Sequence, residues 1–147
     1  MSEEPKMIKG GIAVDDRGSV SFVNDFSFEN VKRSYMIRNH QQGFIRAWHG
    51  HRNEGKYFTV VKGSALICGV CVDDWERPSK DLKIHRFVMS ETSPAVLFLP
   101  PGYANGAMSL TADAQILVYS TSTLQESLND DIRFESRYWN PWTIEER

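Results

Sequence analysis

The stretch "GFIRAWHGHRNEGKYFTVVKG", residues 43 to 63, carries two of the chain's four histidines at alternate positions. Residues two apart on a strand point to the same side. His49 and His51 therefore face together wherever this segment is extended, and they can hold a metal or move protons. Its flanks are strand-like: "GFIRAWH" and "KYFTVV" are β-branched and aromatic runs, cut by the turn-forming "HRNEG".

The same pattern spreads in both directions. "SVSFVNDFSF", "KRSYMIRN", "ALICGVCV", "KIHRFVM", "AVLFLP", "GAMSL" and "QILVYSTS" are of strand length, and "DDRG", "NHQQG", "VKGS", "DDWERPSKD", "SETSP" and "PPGYANG" interrupt them. No segment before residue 123 keeps a helical period. Many short strands at this spacing predict an all-β sandwich or barrel. The tail from Leu124 is polar but holds Phe134, Tyr138, Trp139 and Trp142. It is expected to form a short helix and then lay its aromatics on the barrel or on a second subunit.

The bulk properties narrow the partners. With 147 residues the chain fits one domain, 1–147. A net charge of −2 without a basic run argues against nucleic acid or an anionic membrane as the main partner. There is no apolar run long enough to span a bilayer and no signal-peptide core. Cys68 and Cys71 lie three apart on a predicted strand, which turns their thiols to opposite faces. They read as reduced structural cysteines, which implies a cytoplasmic setting.

The chain resembles the cupin family, small double-stranded β-helix (jelly-roll) barrels. Their first motif, G-x5-H-x-H-x(3,4)-E-x6-G, is matched in spacing by Gly43, His49, His51, Lys56 and Gly63, with Lys56 where the family puts a metal-binding glutamate. In the second motif, Pro94, Pro100, Gly102 and Asn105 follow on spacing, and Asn105 stands at the third metal histidine. Two of four ligands are thus replaced, and a lysine ammonium beside the site repels a divalent cation. Two imidazoles fall short of the three protein ligands such metals usually take. The motif implies no metal and no cofactor.

Within the cupins, the segments "DDRGSVSF", "GFIRAWHGH", "EGKYFTVVKGSALICGVCVD", "LPPGYANGAMSL" and "ILVYSTST" resemble the nucleotide-sugar 3,5-epimerases. "VKRSYMIRN" and "HGH" resemble their relatives, the sugar 3,4-ketoisomerases. By this resemblance the substrate is a dTDP- or other NDP-4-keto-6-deoxyhexose used in deoxysugar and polysaccharide biosynthesis. The same resemblance gives His49 the role of base, Lys56 that of enolate stabiliser and Tyr119 that of catalytic acid. Arg17 and Arg46 would bind the diphosphate, with Asn105 and Tyr35 also at the substrate, in a homodimer. No counterpart is evident for the C-terminal aspartate that pairs with the epimerase histidine.

Both reactions remove a proton next to a ketone, which suits a neutral imidazole near pH 7. The enolate that forms calls for positive charge at its oxygen. Epimerisation at C3 and/or C5 returns the proton to the opposite face and needs Tyr119 across the ring from His49. 3,4-Ketoisomerisation moves it from C3 to C4 and needs His51 beside His49. The sequence reading favours the epimerase, with the ketoisomerase and a non-catalytic sugar-binding cupin as alternatives. Planar guanidinium groups suit a diphosphate. One geometric condition follows: strict strand alternation turns Arg46 away from His49, so the strand must carry a bulge or Arg46 must act across a subunit interface.

Overall fold

A computed structural model describes residues 3–147. In chain order the elements are β1 (Lys6–Lys9), β2 (Gly11–Asp15), β3 (Gly18–Phe22), β4 (Arg33–Arg38), β5 (Ile45–Gly50), β6 (Lys56–Lys62), β7 (Ser64–Cys71), β8 (Ile84–Ser90), β9 (Ala95–Leu99), β10 (Tyr103–Ser109) and β11 (Gln115–Ser120). A short helix α1 (Leu124–Leu128) and a two-residue strand β12 (Ile132–Arg133) complete the chain. Two antiparallel five-stranded sheets form, in the orders β1-β9-β6-β11-β4 and β12-β5-β10-β7-β8, and β2–β3 is a separate hairpin. This is the jelly-roll expected from the sequence.

The strands alternate as their burial requires. Phe58, Val60, Leu97, Leu99, Ile116 and Val118 of the first sheet meet Ala65, Ile67 and Ala107 of the second, and this forms the core between the sheets. A second apolar cluster lies on the outer face of the second sheet. There Trp48, Cys68, Val70, Ala104 and Met108 are covered by Trp139 and Trp142 from the tail. The tail aromatics thus pack on their own barrel. Trp48 is fully buried, its indole N–H donating to the Trp139 carbonyl at 3.1 Å. Gly106 allows the close approach: a Cβ there would sit 2.9 Å from the Trp142 ring.

Gly63 and Gly102, both read as turn positions, have φ of +65° and +93°, which side chains with a Cβ rarely adopt. Helix α1 starts on a capping box, with Thr123 and Glu126 each bonding the other's backbone N–H. Three strands escaped the sequence reading. β1 is a four-residue edge strand, β2 begins at Gly11 beside the polar N-terminus, and β12 is two residues of tail added beside β5. Cys68 is buried and Cys71 half-buried. Burial pushes the Cys68 thiol up to about 12. Among the described residues no helix is long and apolar enough to cross a membrane.

Candidate active site

A cavity of about 400 Å³ opens between the two sheets, and it gathers most of the residues singled out from the sequence. β5 supplies Arg46 and His49, with His51 just beyond its end, β6 supplies Lys56, β4 supplies Tyr35 and β10 supplies Asn105. Arg33, Asp131 and Arg133 line it too, and α1 sets the exposed Leu124 and Leu128 at its edge.

Arg46 reaches this cavity because β5 is bulged. Asn105 pairs with His49, but the next residue of β10, Gly106, pairs with Ala47, so Trp48 has no opposite residue on β10. Ala47 and Trp48 both turn outward into the tail cluster. Arg46 then pairs with Ala107, an inward-facing core residue. The extra residue restores His49 and Arg46 to one face. Arg46 Nε donates to Asn39 Oδ1 at 2.6 Å, which fixes the guanidinium at the rim.

The two histidines are held differently. His51 is almost fully buried, and its Nδ1–H donates to the Asp130 carbonyl at 2.7 Å. That bond leaves the lone pair of the neutral ring on Nε2. Nε2 is buried and, among the described residues, has no hydrogen-bond partner. His49 is half-buried, and Arg133 of β12 lies opposite it. Burial, reinforced by the charges of Arg133 and Lys56, pushes the His49 imidazole down to about 4. Asp131, whose charge opposes that shift, is bound to Arg133 through two hydrogen bonds of 3.0 and 3.1 Å. Burial and the Lys56 charge also push His51 below its ordinary value. Both rings are neutral at pH 7, as a base must be.

Lys56 is buried, and its Nζ lies 5.8 Å from the centre of the Tyr35 ring. Arg33 covers the same ring at 4.9 Å. The Asn105 amide donates to the His49 carbonyl at 3.1 Å, so it ties β10 to β5 at the site. Among the described residues no three His, Cys, Asp or Glu side chains converge as a metal-binding group.

Two expected members lie elsewhere. Tyr119 pairs across the sheet with Tyr57, and its ring packs on Phe28 with centroids 4.3 Å apart. Cross-strand partners share a face. It is the neighbouring pair, Ser120 and Lys56, that turns inward. The assignment of Tyr119 as an acid facing His49 is corrected by this alternation. Arg17 sits at the tip of the β2–β3 hairpin, 86% exposed and paired with Asp15, outside the cavity. Within one chain it does not join Arg46.

The sequence reading passed over Glu54, Arg33, Asp131 and Arg133. Glu54 lies in "HRNEG", which reads as an ordinary polar turn. Asp131 and Arg133 lie in the tail, and only its pairing with β5 brings them to His49.

A model of the dTDP-4-dehydrorhamnose 3,5-epimerase family matches residues 6–142. The chain belongs to this family. No curated protein matches it. Several solved structures share its fold. The dTDP-4-dehydrorhamnose 3,5-epimerase of Sulfolobus tokodaii is 23% identical, with 92% of this chain and 80% of that one covered at a TM-score of 0.74. QdtA, a sugar 3,4-ketoisomerase of Thermoanaerobacterium thermosaccharolyticum solved with TDP, is 20% identical, with 94% and 93% covered at 0.69. The TDP-quinovose 3,4-ketoisomerase WlaRB of Campylobacter jejuni is 18% identical, with 93% and 98% covered at 0.66.

Proposed function

We propose that the protein is an isomerase that moves a proton at the carbon beside the C4 ketone of a dTDP- or related NDP-4-keto-6-deoxyhexose, and that the reaction is 3,4-ketoisomerisation. One observation carries the choice: His49 and His51 line the same cavity as Lys56 and Tyr35, while Tyr119 lies outside it. A neutral imidazole removes the C3 proton, and the C–H electron pair forms the C3=C4 bond as the carbonyl electrons move to O4. The Lys56 ammonium stabilises that oxygen in a site with little water. Return of the proton to C4, with the O3 proton passing to O4, leaves a 3-ketone and a C4 hydroxyl. Donor and acceptor positions are adjacent, so two imidazoles on one side suffice.

Arg46, with Arg33 and Arg133 at the same cavity, suits the diphosphate. Arg17 joins them only if the β2–β3 hairpin reaches a second copy. The exposed Ile12, Val14 and Val20 on that hairpin favour such a homodimer.

Epimerisation at C3 and/or C5 is the second reading. The family match supports it, as does Asp131, a C-terminal carboxylate whose charge acts on His49. Carbon NMR of the product from dTDP-4-keto-6-deoxyglucose separates the two. A 3-keto sugar nucleotide is expected; a 4-keto product with inverted C3 or C5 would move the assignment to epimerisation.

A further inference from the structure

Among the described residues, the buried side-chain polar atoms without a hydrogen-bond partner are Arg33 Nε, His51 Nε2 and Glu54 Oε1. All three belong to one cluster, with Arg33 and His51 in the cavity wall and Glu54 behind them. Buried polar atoms are normally paired, so such a concentration asks for a chemical reason. The Glu54 side chain is wholly out of solvent. Its Oε2 accepts from Ser120 Oγ at 2.5 Å and lies 3.6 Å from Arg33 Nη2. Ser120 is itself held, because its Oγ accepts the Ser122 N–H at 3.0 Å. Glu54 Oε1 lies 3.4 Å from His51 Nδ1. Strands β4 and β11 and the turn after β5 thus converge on one carboxyl group.

We propose that Glu54 is a positioning residue for His51: it stands behind the imidazole as the counter-charge of the imidazolium that forms when Nε2 accepts a proton. The inference rests on the proton-transfer reading above. In that step the substrate C–H bond breaks, its electron pair stays on the substrate as the enolate, and the proton goes to Nε2. The ring then holds a positive charge in a buried site. It faces Lys56 on β6 and His49 on β5, with Arg33 on β4 and Arg133 on β12 nearby. The anionic groups are Glu54, Asp130 and Asp131. Asp131 is engaged by Arg133, and the Asp130 carboxylate accepts the Arg52 and Asn53 N–H groups. Glu54 Oε1 is the carboxylate oxygen left for His51. A buried carboxylate behind a base histidine orients the ring and stabilises its protonated form. The two histidines are therefore unequal: His51 is built to hold a proton, and His49 is kept neutral.

The test is Glu54→Gln in the full chain, which keeps the side chain's size and an oxygen for Ser120. Two readouts are needed. One is kcat and KM with dTDP-4-keto-6-deoxyglucose, and the other is titration of the His51 ring nitrogens by ¹⁵N NMR without substrate. The expected result is a kcat lower by about tenfold or more with KM little changed, and a His51 titration displaced to lower pH. A purely structural role would lower Tm and leave the His51 titration where it is; that outcome overturns the inference. If E54Q does not fold, Ser120→Ala reads the same contact. Removing the donor concentrates charge on the carboxyl and should move His51 to higher pH, whereas an unmoved midpoint overturns the inference. Wild-type protein inert toward 4-keto sugar nucleotides would fail the functional reading alone, because the ring titration needs no substrate.

Discussion

Asp130 holds His51 in two ways. Its carbonyl accepts the ring Nδ1–H at 2.7 Å, while its carboxylate accepts the backbone N–H groups of Arg52 and Asn53 at 2.8 and 2.9 Å. One residue of the C-terminal segment thus sets the tautomer of the ring and pins the turn that carries Glu54. Asp130→Ala keeps the carbonyl but strands two N–H groups, which should cost about 1–3 kcal/mol of stability. Urea denaturation of both proteins measures this, and an unchanged midpoint would remove Asp130 from the account.

His49 gives the protein a signed pH dependence. Its folded value, about 4, lies below its ordinary 6.5. Between those limits the unfolded chain binds more protons, so stability rises with pH through that window and levels off above it. His49→Asn should flatten the slope, which denaturation at pH 4.5 and 7 would reveal. Both histidines lie below 6.5. The acid limb of kcat/KM should therefore also fall below pH 6.5, and a midpoint at or above that value would contradict the burial argument.

Lys56 is assigned to charge stabilisation in the transition state. Lys56→Met keeps the aliphatic length and removes the ammonium from a buried position. It should lower kcat by about 10²–10³-fold while leaving Tm unchanged or higher, since a buried charge is replaced by apolar surface. A rise in KM alone would make Lys56 a binding residue only.

Tyr119 separates the two reaction readings by mutation. Its ring packs on Phe28 on the outer face. Tyr119→Phe should change kcat by less than about threefold, against the 10²–10⁴-fold that loss of a general acid costs. A large fall in kcat would restore the epimerase assignment.

Local pattern reveals some of this site and hides the rest. The period-2 runs and turn clusters mark out the barrel, and the spacing of His49, His51 and Lys56 along β5 and β6 is enough to bring them together. The Arg46 conflict is legible as a conflict: alternation forbids it from facing His49, and the bulge at Trp48 resolves it. Tyr119 was misjudged because a motif match fixes a position along a strand, while its face depends on the register with Tyr57. Glu54 was invisible because nothing local distinguishes a buried glutamate in a turn from a solvated one. Its burial comes from Ser120 and Arg33, 66 residues after it and 21 before it in sequence. β12 was hidden because two residues carry no period.

The most direct test of the central claim is proton NMR of dTDP-4-keto-6-deoxyglucose with the protein in heavy water. Loss of the C3 proton, growth of a 3-keto product labelled at C4, and a retained C5 proton are the predicted result. A substrate that keeps its C3 proton and yields no product would contradict proton transfer at this site.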